Sequence, residues 1–223
     1  MELHDSAPAH KGEHESVAQR ILGTLRREIV TARLEPGQII QETETASRLG
    51  VSKTPVREAL QTLLSEGFVM VFPRRGYVVR PLGLNDIREI MDLRMSIEPP
   101  ITGVAARLST IELVRKLEKI LSHHVDESLG FAERLQAANE FHRTIASTAG
   151  NKRAGRLLNT YLDETTRIHY MFSRAMDHVV SPVELHSHRQ IVDAIADKDE
   201  LGAREAMSAH LRESNEALLQ SFY

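Results

Sequence analysis

From Leu84 onward the chain is a succession of amphipathic helical stretches separated by breaks too short for anything but a turn. The stretches run over 84–107, 110–128, 131–149, 152–177, 182–197 and 199–221. Ser109-Thr110, Gly130, Gly150-Asn151, Ser181-Pro182 and Asp197-Lys198-Asp199 divide them, and these are the residue types that stop and restart helices. Long amphipathic helices joined by short connections pack as antiparallel neighbours. The spacing therefore predicts an all-α antiparallel bundle of six to seven helices over 84–223, with Val179-Val180 the one weak strand signal. A domain of about 140 residues buries an adequate core.

The N-terminal part follows a different plan. Val17, Ile21, Leu25 and Ile29 recur at i+4 and predict a helix, which Leu34-Glu35-Pro36-Gly37 ends. After the short segment Gln38–Gln41 comes a second helical stretch, 42–49, stopped by Gly50 at the position that favours a left-handed residue. A third opens at Val51-Ser52-Lys53-Thr54-Pro55 with Ser52 as N-cap, and turns Val56, Ala59, Leu60, Leu63 and Leu64 to one face. Two strands, 68–72 and 76–80, follow around the turn Pro73-Arg74-Arg75. The predicted organisation is a disordered arm over 1–15, a winged helix-turn-helix over 16–81, and the helical domain over 84–223, with Pro81-Leu82-Gly83 as linker.

The net charge of -3 advertises no partner, but it conceals an asymmetry. Residues 16–81 carry ten Lys/Arg against six Asp/Glu, whereas 82–223 carry seventeen against twenty-one. Within the basic module, Lys53, Arg57 and Gln61 fall at i, i+4 and i+8 opposite the apolar face, with Thr54 beside them. Guanidinium, ammonium, amide and hydroxyl groups in such a stripe suit base edges and phosphates. Arg74 and Arg75 at the hairpin tip suit an adjacent groove or backbone. Glu58, among these cations, reads as the partner that orients an arginine. The competing reading of the stripe is an ordinary solvated helix face.

Cysteine is absent, which excludes disulfides, thiolate metal sites and a cysteine nucleophile. No apolar run has the length of a membrane span, and a cytoplasmic location is expected. Eleven histidines remain as the route to a transition metal. His4, His10 and His14 lie in the arm with loose spacing. His142, His188 and His210 each lie mid-helix on three different helices, among apolar neighbours such as Phe141, Ile145, Ile191, Val192, Met207 and Leu211. Such imidazoles either build a bundle metal site or serve as satisfied core histidines.

The block Leu49-Gly-Val-Ser-Lys-Thr-Pro-Val-Arg-Glu-Ala-Leu60, with Leu34-Glu-Pro-Gly37, Glu42, Glu66-Gly67 and Arg75-Gly-Tyr-Val-Val79, resembles the DNA-binding domain of GntR-family transcription regulators. The resemblance implies that Ser52, Lys53, Thr54, Pro55 and Arg57 lie at the DNA surface, with Arg74, Arg75 and Gly76 in the wing. Leu93–Glu98, Phe141-His142, Gly150-Asn151, His188–Ile191 and Ala209–Leu211 resemble the FCD ligand-sensing domain of the FadR-like subfamily. In its metal-binding members an Asp four residues before the first His joins three histidines. Here the histidines match His142, His188 and His210, while the Asp position is Ala138, which has no ligand atom. A divalent metal, zinc or nickel foremost, is expected, with Asn139 as a possible oxygen donor. Arg94 is expected either to anchor an effector carboxylate or to pair with Glu98 at i+4. Arg143, Asn159, Arg167 and His169 are further polar candidates.

The expected function is a homodimeric, DNA-binding transcription regulator, a repressor by resemblance. Its affinity for a palindromic operator in double-stranded DNA would answer to a small carboxylate effector. The rival reading is a metal-dependent enzyme using the three histidines, with Glu140 or Glu184 as base. No HExxH, phosphate loop or nucleophile–base pair supports that rival. A DNA-architectural protein without ligand is a third class.

Overall fold

The structure, a computed structural model, describes residues 16–221. The expected arm and its three histidines lie outside the described residues. Among the described residues ten helices and three strands run in the order α1 (Val17–Val30), β1 (Ile39–Ile40), α2 (Glu42–Leu49), α3 (Lys53–Ser65), β2 (Val69–Phe72), β3 (Gly76–Val79), α4 (Leu84–Arg107), α5 (Ile111–Val125), α6 (Phe131–Thr148), α7 (Lys152–Met171), α8 (Ser173–Val179), α9 (Pro182–Ala196) and α10 (Glu200–Gln220). The chain divides into two compact units. Among the described residues, one takes in 16–27 with 38–79, the other 28–37 with 80–221.

The first unit is a winged helix-turn-helix. Gly50 adopts φ 66°, and the N–H groups of Gly50 and Val51 close on the last carbonyls of α2. That left-handed residue lets α3 leave at a new angle. On α3, Val56, Ala59, Leu60 and Leu63 are buried at the i, i+3, i+4, i+7 positions, while Leu64, expected on the same face, is exposed. The sheet has three strands in the order β1-β3-β2, all antiparallel. Ile39-Ile40, read from sequence only as a short segment, pairs with Tyr77 and Val78 as the third strand. At the wing turn Arg74 takes a left-handed φ of 64°, and Gly76 follows at φ 89°. A Cβ on Gly76 would sit 3.6 Å from the Ile40 carbonyl, an ordinary contact, so it is the positive φ of the turn that favours glycine here.

The second unit is the helical bundle. α10 packs along α4 and α9, α5 against α6 and α9, and α4 also meets α6 and α7. Its core runs from Ile87, Leu117 and Leu121 through Phe141, Ile145 and Leu158 to Ile191, Met207 and Leu211, all almost fully buried. Asn151, Ser181 and Asp199 cap α7, α9 and α10 through their side chains.

The stretch 152–177, predicted as one helix, is two. Phe172 turns extended (φ −131°, ψ 120°) and ends α7, though neither Gly nor Pro marks the break. Its partly buried ring packs against the core, so tertiary packing sets the break. The restarted helix α8 buries Ala175 and Val179, and the weak strand signal at Val179-Val180 is its helical end and cap. α4 runs on through Pro99 and Pro100, which remove two N–H donors from its middle.

Candidate nucleic-acid interface and metal centre

On α3 the stripe Lys53, Thr54, Arg57 and Gln61 is exposed on the face away from Val56, Leu60 and Leu63. Ser52 stands at the N-cap in extended conformation, but its side chain makes no capping bond. Pro55 falls in the first turn, where a missing N–H removes no helix bond. Arg57 donates through Nε and Nη2 to both Glu42 oxygens at 2.7–3.1 Å. The carboxylate that orients this arginine is therefore Glu42 of α2, not Glu58, which points to solvent on α3. The bidentate grip pre-sets a long side chain while leaving it 57% exposed. In the wing, the Arg75 guanidinium lies 5.8 Å from the Phe72 ring centroid. Arg74 and Arg75 are both exposed.

The second unit holds a buried polar centre. α6 supplies His142, α9 supplies Glu184 and His188, α10 supplies His210, and α4 supplies Arg94 and Glu98. Each histidine rides on an apolar helix face: His142 with Ile145, His188 with Ile191 and Ile195, His210 with Met207 and Leu211. Folding these faces together brings one ring nitrogen from each of the three within 4.8 Å of the others, all buried.

The surrounding hydrogen bonds determine which nitrogen each ring presents. Glu98 Oε2 lies 2.5 Å from His142 Nδ1, and a carboxylate can only accept, so that nitrogen carries the proton and a neutral ring turns a bare Nε2 outward. Burial works against the Glu98 charge. Arg94, 2.6 Å from its other oxygen, and His142 overcome that and hold its pKa down at about 2. His188 is fixed by a longer relay. The Val179 carbonyl accepts from His124 Nε2 at 2.8 Å, so the neutral His124 ring has an unprotonated Nδ1. That atom lies 3.2 Å from His188 Nδ1, which must donate and so leaves His188 Nε2 bare. His188 Nε2 is buried without a hydrogen-bond partner. For His210, Ser187 Oγ donates to the Glu184 carbonyl at 3.0 Å and accepts from His210 Nδ1 at 3.1 Å. Its bare nitrogen is again Nε2. Desolvation favours the neutral form of two of the rings: His210 is lowered to about 4, and His188 also lies well below the ordinary imidazole value.

Three imidazoles engaged through Nδ1, each of which in its neutral form offers the Nε2 lone pair, are a donor set that could hold a zinc-class divalent ion. Bonds from their Nδ1 atoms to a carboxylate, a second imidazole and a hydroxyl are the kind of support that orients metal ligands. The adjoining cavity, lined by Arg94, Ala138, Asn139, His142, His169 and Glu184 among others, measures about 30 Å³, room for an ion or a water.

Arg94 forms the Glu98 pair that its i+4 spacing allowed, and its Nη1 reaches Thr165 Oγ1 at 3.5 Å. Asn139 Nδ2 donates to Thr166 Oγ1 at 2.8 Å. Ala138 lines the cavity with a methyl group only. Arg143 bonds Asn159 and Asp163. Arg167, almost fully buried, donates to the Arg80 carbonyl at 2.5 Å. His169 is buried at the cavity wall, where desolvation lowers it to about 4. Glu140 is half-exposed beside Lys116. Sequence reasoning passed over His124, Ser187 and His178. For His124 a signal existed, because it continues the buried face of Leu113, Leu117 and Leu121.

A winged helix-turn-helix joined to an all-helical domain with a buried polar centre defines a DNA-binding transcription regulator with a sensing module. Residues 17–79 match the bacterial regulatory proteins, gntR family, and residues 89–213 match the FCD domain, so the chain belongs to the GntR family. Among its relatives is the HTH-type transcriptional repressor RspR of Escherichia coli K12, 29% identical over 92% of this chain and 90% of that one. A probable D-xylose utilization operon transcriptional repressor of Paenarthrobacter nicotinovorans is 30% identical over 88% and 86%. Escherichia coli McbR/YncC shares the fold, with a TM-score of 0.81 at 20% identity over 93% of this chain and 99% of that one. A putative GntR regulator from Rhodococcus sp. RHA1 does so at 0.76 and 23%, over 92% and 99%. Among the described residues no helix is long and apolar enough to cross a membrane.

Proposed function

We propose that this GntR-family regulator is a homodimeric repressor that reads a palindromic operator with α3 and the wing. Lys53, Thr54, Arg57 and Gln61 face the major groove, Ser52 and Pro55 approach the backbone at the helix start, and Arg74, Arg75 and Gly76 form the wing contact. A divalent metal, zinc or nickel foremost, held by His142, His188 and His210, would provide a Lewis-acidic anchor for a small carboxylate effector. Arg94 and Asn139 line the same cavity and supply charge and hydrogen bonds to that effector. The observation that carries the reading is the orientation of three buried imidazoles, each held through Nδ1 so that Nε2 is free. A carboxylate does not fit in about 30 Å³, so the effector is admitted by a wider arrangement of the helices. Its preference for that arrangement over the closed one is what would change operator affinity.

The test is direct. Protein purified without chelator is expected to carry a stoichiometric divalent metal that His188→Ala loses, and a panel of organic acids is expected to raise the melting temperature of the metal-loaded form. Equal metal in both proteins removes the metal reading. An operator affinity indifferent to every stabilising acid removes the effector reading.

A further inference from the structure

We infer that Glu184 is a metal ligand: its carboxylate completes the centre of His142, His188 and His210, taking on α9 the role that Ala138 cannot fill on α6. The inference rests on the metal reading above and adds the anionic member of the donor set.

Glu184 lies one helical turn before His188 on the same helix, and its side chain is 8% exposed. The two oxygens have different surroundings. Oε2 lies 3.4 Å from Ser214 Oγ, 3.1 Å from His178 Nε2 and 3.5 Å from His210 Nδ1. Oε1 faces His188 Nε2 at 3.5 Å. The relay through Val179 and His124 leaves that nitrogen a bare lone pair. A carboxylate oxygen and an imidazole lone pair repel when buried face to face, and a cation between them reverses the sign. Their separation also suits one ion. Donors bonded at about 2.0–2.1 Å with a tetrahedral angle between them stand about 3.3 Å apart.

The other carboxylate in the centre is already engaged. Glu98 accepts from Arg94 through Oε1 and from His142 through Oε2, so both oxygens are used in holding side chains. Glu184 has the free oxygen. Its main-chain carbonyl, through Ser187, also sets the tautomer of His210, so one turn of α9 would organise two of the three imidazoles. One carboxylate with three neutral imidazoles leaves a divalent ion a net charge of about +1, enough to attract an anion.

The experiment uses full-length protein, stripped with chelator and titrated with Zn(II) in competition with a chromophoric chelator. Co(II) absorption then reports the ligand set. Wild type, Glu184→Gln, His188→Ala and the double variant Glu184→Gln/Ala138→Asp are compared, with circular dichroism and thermal melting as controls of folding. Glu184→Gln is expected to weaken Zn(II) binding by more than about 100-fold, beyond the range of outer-shell changes. It should also alter the Co(II) spectrum, and Ala138→Asp should recover affinity in the double variant. If wild type binds metal and His188→Ala loses it, but Glu184→Gln stays within about threefold of wild type with an unchanged Co(II) spectrum, the Glu184 assignment fails alone. If wild type binds no metal, or His188→Ala binds as wild type does, the metal reading fails and takes this inference with it. Should Glu184→Gln not fold, Glu184→Asp is read in its place. It retains the charge but shortens the reach, and an unshifted affinity and spectrum would overturn the assignment.

Discussion

Replacing His124 with phenylalanine separates the proposed tautomer relay from simple core packing. The imidazole is fully buried and bonded at both nitrogens, to the Val179 carbonyl at 2.8 Å and to His188 Nδ1 at 3.2 Å. Phenylalanine keeps the ring against His188, whose centroid is 5.1 Å away, but removes both bonds. Leaving the Val179 carbonyl unpaired costs about 1–3 kcal/mol, or about 2–12 °C in melting temperature for a chain of this length. The second loss is specific: His188 Nδ1 no longer has an acceptor, and the ring is free to carry its proton on Nε2. Outer-shell losses of this type lower metal affinity about 10–100-fold, equivalent to about 1.4–2.8 kcal/mol. Calorimetric melting of the metal-free protein and competitive Zn(II) titration measure the two effects independently. Leu117→Ala is the control, since it opens a cavity on the same helix at about 2–5 kcal/mol while removing no hydrogen bond to an imidazole. It should lower the melting temperature and leave Zn(II) affinity unchanged. A His124→Phe protein that melts lower yet binds Zn(II) like wild type would refute the relay.

Further outcomes follow from other parts of the molecule. Arg57→Ala should weaken specific operator binding by about 1–3 kcal/mol, with an unchanged melting temperature because the side chain is exposed; fluorescence anisotropy measures it, and an unfolded variant would make Arg57 structural. Glu98→Ala strands the buried Arg94 charge and should destabilise the protein by about 3–5 kcal/mol, read by denaturant titration; a loss under 1 kcal/mol would contradict the pairing. Glu164 is pushed up to about 7 by burial, against Arg80 and Arg167 and with Asp86 and Asp163 adding to the rise. A carboxyl whose folded value exceeds its unfolded one has full stability below about 4.5 and loses it as pH rises through about 7. Relative to wild type, Glu164→Gln should therefore gain melting temperature at pH 8 and not at pH 4.5. An equal difference at both pH values would refute that assignment.

Features specified by nearby residues were legible in the sequence. The bundle helices, Gly50 as the pivot before α3, and the cationic stripe on α3 each follow from local periodicity or from one residue's allowed backbone. Features decided by distant partners were not. The break at Phe172 is made by core packing, and the third strand exists only because β3 lies beside Ile39-Ile40. The orienting role read for Glu58 falls to Glu42, fifteen residues before Arg57 in sequence and brought to it only by the crossing of α2 and α3. In the buried centre the three histidines stood out for being mid-helix. The role of Glu184 depends on a tautomer fixed from another helix, which no spacing in one chain segment reveals.

A guest larger than about 30 Å³ meets a wall of packed side chains, and only the fraction of molecules already dilated can admit it. Its apparent dissociation constant is the intrinsic one divided by that fraction, so a bundle open 1% of the time answers at roughly a hundredfold higher concentration. The response threshold would then be set by how tightly α4, α6, α9 and α10 close on one another, as much as by what the guest touches. Core substitutions remote from every ligand atom would retune the dose at which the regulator responds while leaving its choice of ligand intact.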